Sequence, residues 1–290
     1  MSEVGDAKVH NPTCEINVVE HCNLSCRACS HASPVLPRTV VDPAVVEHDL
    51  SLLAEHYGVD AVRLLGGEPL LHPDLGAIVE AVRRSGIGER ICVVTNGVLL
   101  PRMPRAFWES VDIVEISAYP GNELEPEQLQ FCREEAEAAG TQLKVSRVRM
   151  FRESYSEVGT TDAELIRRIY RNCVIAHVWR NHTVANGVFY KCPQSYLLPK
   201  LLGNAGPDGV AIGAPELGRR LREYLASPEP LDACGNCLGS AGRRFAHEQT
   251  PRSEFRRHQG ARTEELVDPR YLDHQKAWPA EPEREAVQTG

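Results

Sequence analysis

The apolar residues of the first 170 positions predict strands and helices in alternation. Residues 14–20 (CEINVVE) form a short apolar run that reads as a buried strand. After an irregular stretch, Asp42-Pro43 offers an N-cap and a first-turn proline. Val45, Val46, Asp49, Leu50, Leu53 and His56 follow at helical spacing, which predicts a helix ending near Gly58. The rhythm then repeats. Strand 60–65 is closed by Gly66-Gly67, helix 73–85 by Gly86, and strand 90–95 by Asn96-Gly97. A short helix 104–109, strand 112–118, helix 126–139 with Gly140 as its cap, strand 143–150 and helix 161–170 complete the series. Apolar strands alternating with helices imply parallel architecture. Five units plus a sixth strand expected over 174–179 are too few for a closed eight-unit barrel. The expected fold is α/β, an open or partial (β/α) barrel.

The pattern changes after Cys173. Residues 183–191 (TVANGVFYK) place Asn186-Gly187 between two short strand-like runs, a strong hairpin signal. Helical runs 194–202 and 215–226 follow, and then Cys234-Gly-Asn-Cys237. The chain is therefore divided into a barrel over 14–171, a small cysteine-tied module over 172–244 and a tail over 245–290. The tail balances acidic and basic residues and has little apolar periodicity, so a partly ordered arm or disordered end is expected.

Strand parity selects candidate site residues. In strand 112–118, Val114, Ile116 and Ala118 share the face that should meet helices, leaving Glu115, Ser117 and Tyr119 for the lumen. In the first strand Glu15 and Asn17 point one way and Cys14 the other. Glu15 and Tyr119 are thus candidate substrate contacts. Arg147, Arg149 and Arg152 could bind a carboxylate or a hydroxyl, and Arg149 is taken as the catalytic candidate among them.

The chain has 290 residues, 42% hydrophobic and 25% charged, with a formal net charge of −8. That charge argues against a general nucleic-acid binder. No apolar run approaches the ~20 residues of a membrane span. The first residues lack the apolar core of a signal peptide. A cytoplasmic location with reduced thiols is expected, so ten cysteines need a reason other than disulfides.

Seven of the ten fall into two groups. Cys22, Cys26 and Cys29 form C-x3-C-x2-C on the loop after the first strand, three thiolates that can wrap one metal centre. Iron–sulfur clusters normally take four cysteines, so three would leave one iron open. A zinc site completed by His21 or His31 is the alternative. Cys173, Cys192, Cys234 and Cys237 make a four-thiolate set suited to zinc or a [4Fe–4S] cluster, with the hairpin bringing Cys173 and Cys192 together. Of the remaining thiols, Cys132 is expected on the outside of its helix and Cys92 far from the barrel mouth.

The run HCNLSCRAC resembles the signature of the radical S-adenosylmethionine (SAM) superfamily, and Gly66-Gly67-Glu68-Pro69 resembles that family's GGEP motif. Thr95-Asn96-Gly97 closes the third strand in the same style. The resemblance covers residues 14 to about 151. It implies that Cys22, Cys26 and Cys29 hold a [4Fe–4S] cluster whose open iron is chelated by SAM, and that reductive cleavage yields a 5′-deoxyadenosyl radical. It also implies cofactor contacts from Gly66, Gly67, Glu68, Asn96 and Ser117. The order of Cys173, Cys192, Cys234 and Cys237 resembles the twitch module, a shortened SPASM extension that holds one auxiliary [4Fe–4S] cluster. In layout the whole resembles the aminocyclitol dehydrogenases of antibiotic biosynthesis, which implies oxidation of a ring alcohol of a carbohydrate or aminocyclitol to a ketone. A sugar epimerase and a peptide-modifying enzyme are the alternatives. The first wants a thiol hydrogen donor, and the thirteen residues before Cys14 are too few for the leader-binding domain of the second. Flavodoxin or ferredoxin is the implied electron donor.

Overall fold

The computed structural model describes residues 8–203, 208–272 and 284–286. Its strands are β1 (Val9–Val19), β2 (Tyr57–Gly66), β3 (Gly88–Thr95), β4 (Ile113–Ala118), β5 (Gln142–Val148), β6 (Met150–Arg152), β7 (His182–Ala185), β8 (Val188–Tyr190), β9 (Gly209–Ala211), β10 (Arg244–Ala246) and β11 (Arg284–Ala286). The helices that matter here are α1 (Pro43–Ala54), α2 (Leu75–Ser85), α3 (Arg105–Ser110), α4 (Pro126–Ala139), α5 (Ala163–Arg171), α6 (Pro193–Leu202) and α7 (Leu217–Ala226). One sheet has the order β11-β5-β4-β3-β2-β1-β7-β8-β9, and β10 pairs separately with β6. From β5 through β1 to β7 every pairing is parallel. The expected α/β partial barrel is therefore the observed architecture.

Local chemistry explains the helix boundaries. Asp42 accepts from the Ala44 N–H at 2.8 Å and Asp74 from the Ala77 N–H at 3.0 Å, each satisfying a first-turn donor. Gly86 and Gly140 end α2 and α4 with φ of 66° and 75°, where a side chain would be strained. Period-two alternation then sorts the strands. Ile16, Val62, Val93, Val114 and Ile116 pack in one core with Leu50 and Leu53 of α1 and Ile78 and Val82 of α2. The opposite parity, with Glu15, Arg63, Val94, Ser117 and Tyr119, faces the lumen.

Three expectations change. Residues 174–179 are not a strand: Ile175–Trp179 is a π-helical turn, and the sixth parallel strand is β7. A six-residue apolar run carries no period of its own, so helix and strand cannot be told apart in it. The β7–β8 hairpin does turn at Asn186-Gly187, with φ of 51° and 74°, but it is not part of a separate module. Cys14 and Ile16 of β1 pair with His182 and Val184, and Val184, Phe189, Ile212, Leu217 and Leu221 enter the barrel core. The hairpin covers the open edge of β1, so the division at residue 172 does not separate two cores. Finally, the tail is packed as far as residue 272. Phe255 is buried beside Tyr155, while Leu266, Val267 and Leu272 pack on Ile169 and Leu238. The rest of the expected tail, apart from β11, lies outside the described residues.

Candidate functional site

The C-terminal ends of the parallel strands converge on the cysteine loop that follows β1, the edge where ligands gather in such folds. Ala28 has a φ of 51°, which turns the chain back between Cys26 and Cys29. The Gly67 N–H donates to Val19 O at 2.9 Å and the Glu68 N–H to His21 O at 3.0 Å. A Cβ on Gly66 would lie 2.0 Å from Val19 O, and one on Gly67 1.9 Å from His21 O. Both glycines are thus required for β2 to touch the start of the cysteine loop. Glu68 is fully buried, accepting from Thr95 Oγ1 (2.6 Å), the Asn96 N–H (2.8 Å) and the Leu70 N–H (3.1 Å). Burial pushes its carboxyl up to about 7. It brackets the ends of β2 and β3, and so holds Asn96, whose Nδ2 donates to Asn23 Oδ1 at 2.7 Å and approaches Cys22 Sγ at 3.6 Å.

Cys22, Cys26 and Cys29 lie close enough for their charges to act on one another. Burial pushes the Cys22 thiol up to about 12, and the Cys29 charge adds to the shift. Cys26 is pushed up by burial and then by Cys29 and Cys22. Cys22 and Cys29 are half-buried, and Asn23 and Ser30 beside them are exposed. Among the described residues no three His, Cys, Asp or Glu side chains converge on a point where one metal ion could be held. Three thiolates on one loop could take three corners of a cluster with its fourth iron left to a small molecule.

Below the loop, the lumen opens into a cavity of about 1510 Å³ including its mouth. Glu15, Ser117 and Tyr119 line it, as parity expects, together with Arg63, Arg152 and Arg244. Arg149 is exposed and does not line it, so the catalytic candidate among the three arginines sits on the wrong face; Arg152 faces the space instead. Arg63 was not singled out in the sequence, although a lone arginine in an apolar strand, paired in register with Glu15, is a visible signal. Its guanidinium lies 3.2 Å from Glu115 and 3.9 Å from Glu15, forming a charged floor. Cys92 abuts this floor, and its thiol is raised to about 11 by burial despite the opposing Arg63 charge. Cys132 is buried in the helix-facing core, not on the outside.

The second group assembles from three separate segments. Cys173 follows α5, Cys192 precedes α6, and Cys234 and Cys237 lie in and after a single 3-10 turn. All four line one small cavity whose other walls include Ile169, Ile175 and Leu231. Burial raises Cys192 to about 11, with Cys173 adding to the shift, and Cys237 feels both of them. Gly239, at φ 52°, donates its N–H to Cys237 Sγ at 3.3 Å; a Cβ there would stand 3.4 Å from Cys173 Sγ. Four thiols around an apolar void, three of them on buried residues, could hold a fully ligated cluster.

Ser154 is one residue that joins the two sites. Ser154 Oγ donates to Ala28 O at 2.9 Å, and Ser154 O accepts from the Leu238 N–H at 3.1 Å, so each partner neighbours a candidate ligand. Ile175 and Gln194 line both the lumen cavity and the four-cysteine cavity. The tail also reaches the first site: the Arg27 N–H donates to Glu248 O (3.0 Å), the Thr250 N–H to Ser25 O (2.8 Å) and Arg252 Nη2 to Cys22 O (3.0 Å).

Residues 16–136 match the family described as the radical SAM superfamily. These residues form a radical SAM domain. That family implies one [4Fe–4S] cluster and SAM. Bovine (Bos taurus) molybdenum cofactor biosynthesis protein 1 is 35% identical over 112 residues, covering 36% of this chain and 17% of that protein. GTP 3′,8-cyclase 3 of Mycobacterium bovis is 38% identical over 100 residues, covering 31% of this chain and 25% of that enzyme. The chain thus spans a quarter or less of these two relatives. Among solved structures, BtrN in complex with AdoMet and 2-DOIA aligns with a TM-score of 0.46 at 14% identity, covering 79% of this chain and 85% of that one. Streptococcus suis SuiB bound to precursor peptide SuiA aligns at 0.38 and 21%, covering 46% and 32%. Among the described residues no helix is long and apolar enough to cross a membrane.

Proposed function

We propose that this radical SAM enzyme oxidises a ring alcohol of a carbohydrate or aminocyclitol to a ketone. The observation that carries the reading is the four-cysteine cavity, which shares Ile175 and Gln194 with the lumen cavity. In this reading Cys22, Cys26 and Cys29 hold the first cluster, and Cys173, Cys192, Cys234 and Cys237 hold a second one with no open iron. When bound, the two clusters and SAM supply a 5′-deoxyadenosyl radical and an acceptor for one electron. The substrate carbon gives up a hydrogen atom, its hydroxyl a proton and the resulting radical an electron, leaving a carbonyl. Glu15, buried on the lumen side of β1, is placed to take the hydroxyl proton, and Arg63 across the sheet register steadies its charge. Tyr119 and Arg152 border the same space and orient the ring. Ser117 and Asn96 stand at the cofactor end, while Gly66, Gly67 and Glu68 act by seating the loop. Flavodoxin or ferredoxin is the electron donor in this reading.

A second reading, radical rearrangement of a nucleotide, is favoured by the curated relatives, several of which are named GTP 3′,8-cyclases. One experiment separates the two. Anaerobically reconstituted enzyme is given SAM, a reductant and, in turn, aminocyclitols, sugars and GTP. The oxidation reading expects a product two hydrogens lighter, formed with an equivalent of 5′-deoxyadenosine. GTP consumption in place of that product would overturn it in favour of the second reading.

A further inference from the structure

We propose that His247, from the tail, donates a hydrogen bond to the Cys26 thiolate and thereby sets the reduction potential of the first cluster. The inference rests on Cys26 being a ligand of that cluster. Its structural basis is the way the tail runs antiparallel along the cysteine loop. Gln249 forms a β-bridge with Cys26, and the backbone bonds of Glu248 and Thr250 flank it on either side. His247 stands two residues before that bridge, and its Nε2 lies 3.2 Å from Cys26 Sγ.

The ring is held from several directions. Its backbone N–H donates to Arg149 O at 2.8 Å. Tyr119 stacks on one face, with centroids 4.8 Å apart and planes 17° from parallel. Phe151 meets the ring edge-to-face at 4.7 Å. The tautomer follows from hydrogen-bond economy. Nδ1 is buried without a hydrogen-bond partner. A proton placed there would be an orphaned donor, whereas a proton on Nε2 has the sulfur as acceptor. The neutral ring with N–H at Nε2 is therefore the form that fits.

A donor to a ligating sulfur withdraws negative charge from the cluster. It stabilises the reduced, more negative state over the oxidised one and so raises the potential. Such a residue eases the single-electron reduction on which radical formation depends, without touching substrate. It is a positioning residue acting through Cys26.

The test reads the cluster, not turnover. The midpoint potential of the full-length reconstituted enzyme is followed by EPR, the first cluster being the one whose signal changes when SAM is added. His247→Phe, which keeps a flat ring but lacks the donor, is expected to shift that midpoint to more negative potential. His247→Gln, which restores an N–H, is expected to recover part of the shift. An unchanged midpoint in His247→Phe would overturn the proposal. In case the phenylalanine variant fails to load, the wild-type protein carries a second arm. Pulsed EPR of the reduced enzyme containing isotopically labelled histidine should show nitrogen coupling to the SAM-responsive cluster, and absence of coupling would overturn the proposal. A protein that loads an iron–sulfur cluster indifferent to SAM would bring down the radical SAM assignment itself, a result distinguishable from a SAM-responsive cluster without the coupling.

Discussion

The two cysteine sites reach similar burial by opposite routes. The first places three thiols within eight residues of one loop, with its rim exposed at Asn23 and Ser30. Its geometry is local, and the rest of the fold braces it: Gly67 against His21, Asn96 against Asn23, the tail against Ser25 and Arg27. The second draws four thiols from three stretches of chain around an apolar void, and exists only once α5, the hairpin and the turn after α7 have packed. Local assembly with an open side suits a centre that must take up a small molecule. Non-local assembly with every corner filled suits one that exchanges electrons alone. Ser154, bonded to both loops, joins these unlike halves.

The comparison breaks most visibly under cysteine substitution. Cys26→Ala should abolish SAM cleavage, whereas Cys237→Ala should leave cleavage near the wild-type rate and abolish ketone formation. Both are read as 5′-deoxyadenosine and product by mass spectrometry. Loss of cleavage in both variants would mean that the sites are one functional unit.

A smaller effect tests the bracing of the first site. Burial holds Glu68 at about 7 in the folded chain, against an ordinary value of 4.5. A raised carboxyl contributes stability that is fully present below the lower value and is lost as pH rises through the higher one, here by roughly 3 kcal/mol. The wild-type melting temperature should therefore fall relative to that of Glu68→Gln as pH rises from about 4.5 to about 7. Parallel curves would show that Glu68 titrates normally.

The smallest effect is expected at Arg149, exposed and off the cavity wall. Arg149→Ala should change stability by less than about 0.5 kcal/mol and ketone formation by less than about twofold. Arg152→Ala, on the wall, should impair the reaction far more. Reversal of that order would restore Arg149 as the arginine candidate.

What the sequence disclosed follows from the range of the signal. Period-two alternation runs over neighbouring residues, so Glu15, Ser117 and Tyr119 could be assigned to the lumen from the pattern alone. The choice of Arg149 rests on no parity argument: Val148, Met150 and Arg152 line the cavity, so alternation carried on from β5 into β6 favours Arg152 over Arg149. The tail was opaque for a different reason. It joins the cysteine loop largely through backbone hydrogen bonds, which leave no trace in residue type, and its buried side chains, Phe255 and Leu266 among them, are too far apart to make a period. The same opacity hid His247. The four-cysteine site was legible only as an order of cysteines, because nothing local says that Cys173 and Cys237 face one void.

The most direct test of the two-site account is iron and sulfide content after anaerobic reconstitution, measured on wild type and on the Cys234→Ala/Cys237→Ala double variant. The account predicts about eight irons falling to about four. About four irons in both proteins would contradict it, because the second cavity would then hold no iron–sulfur cluster.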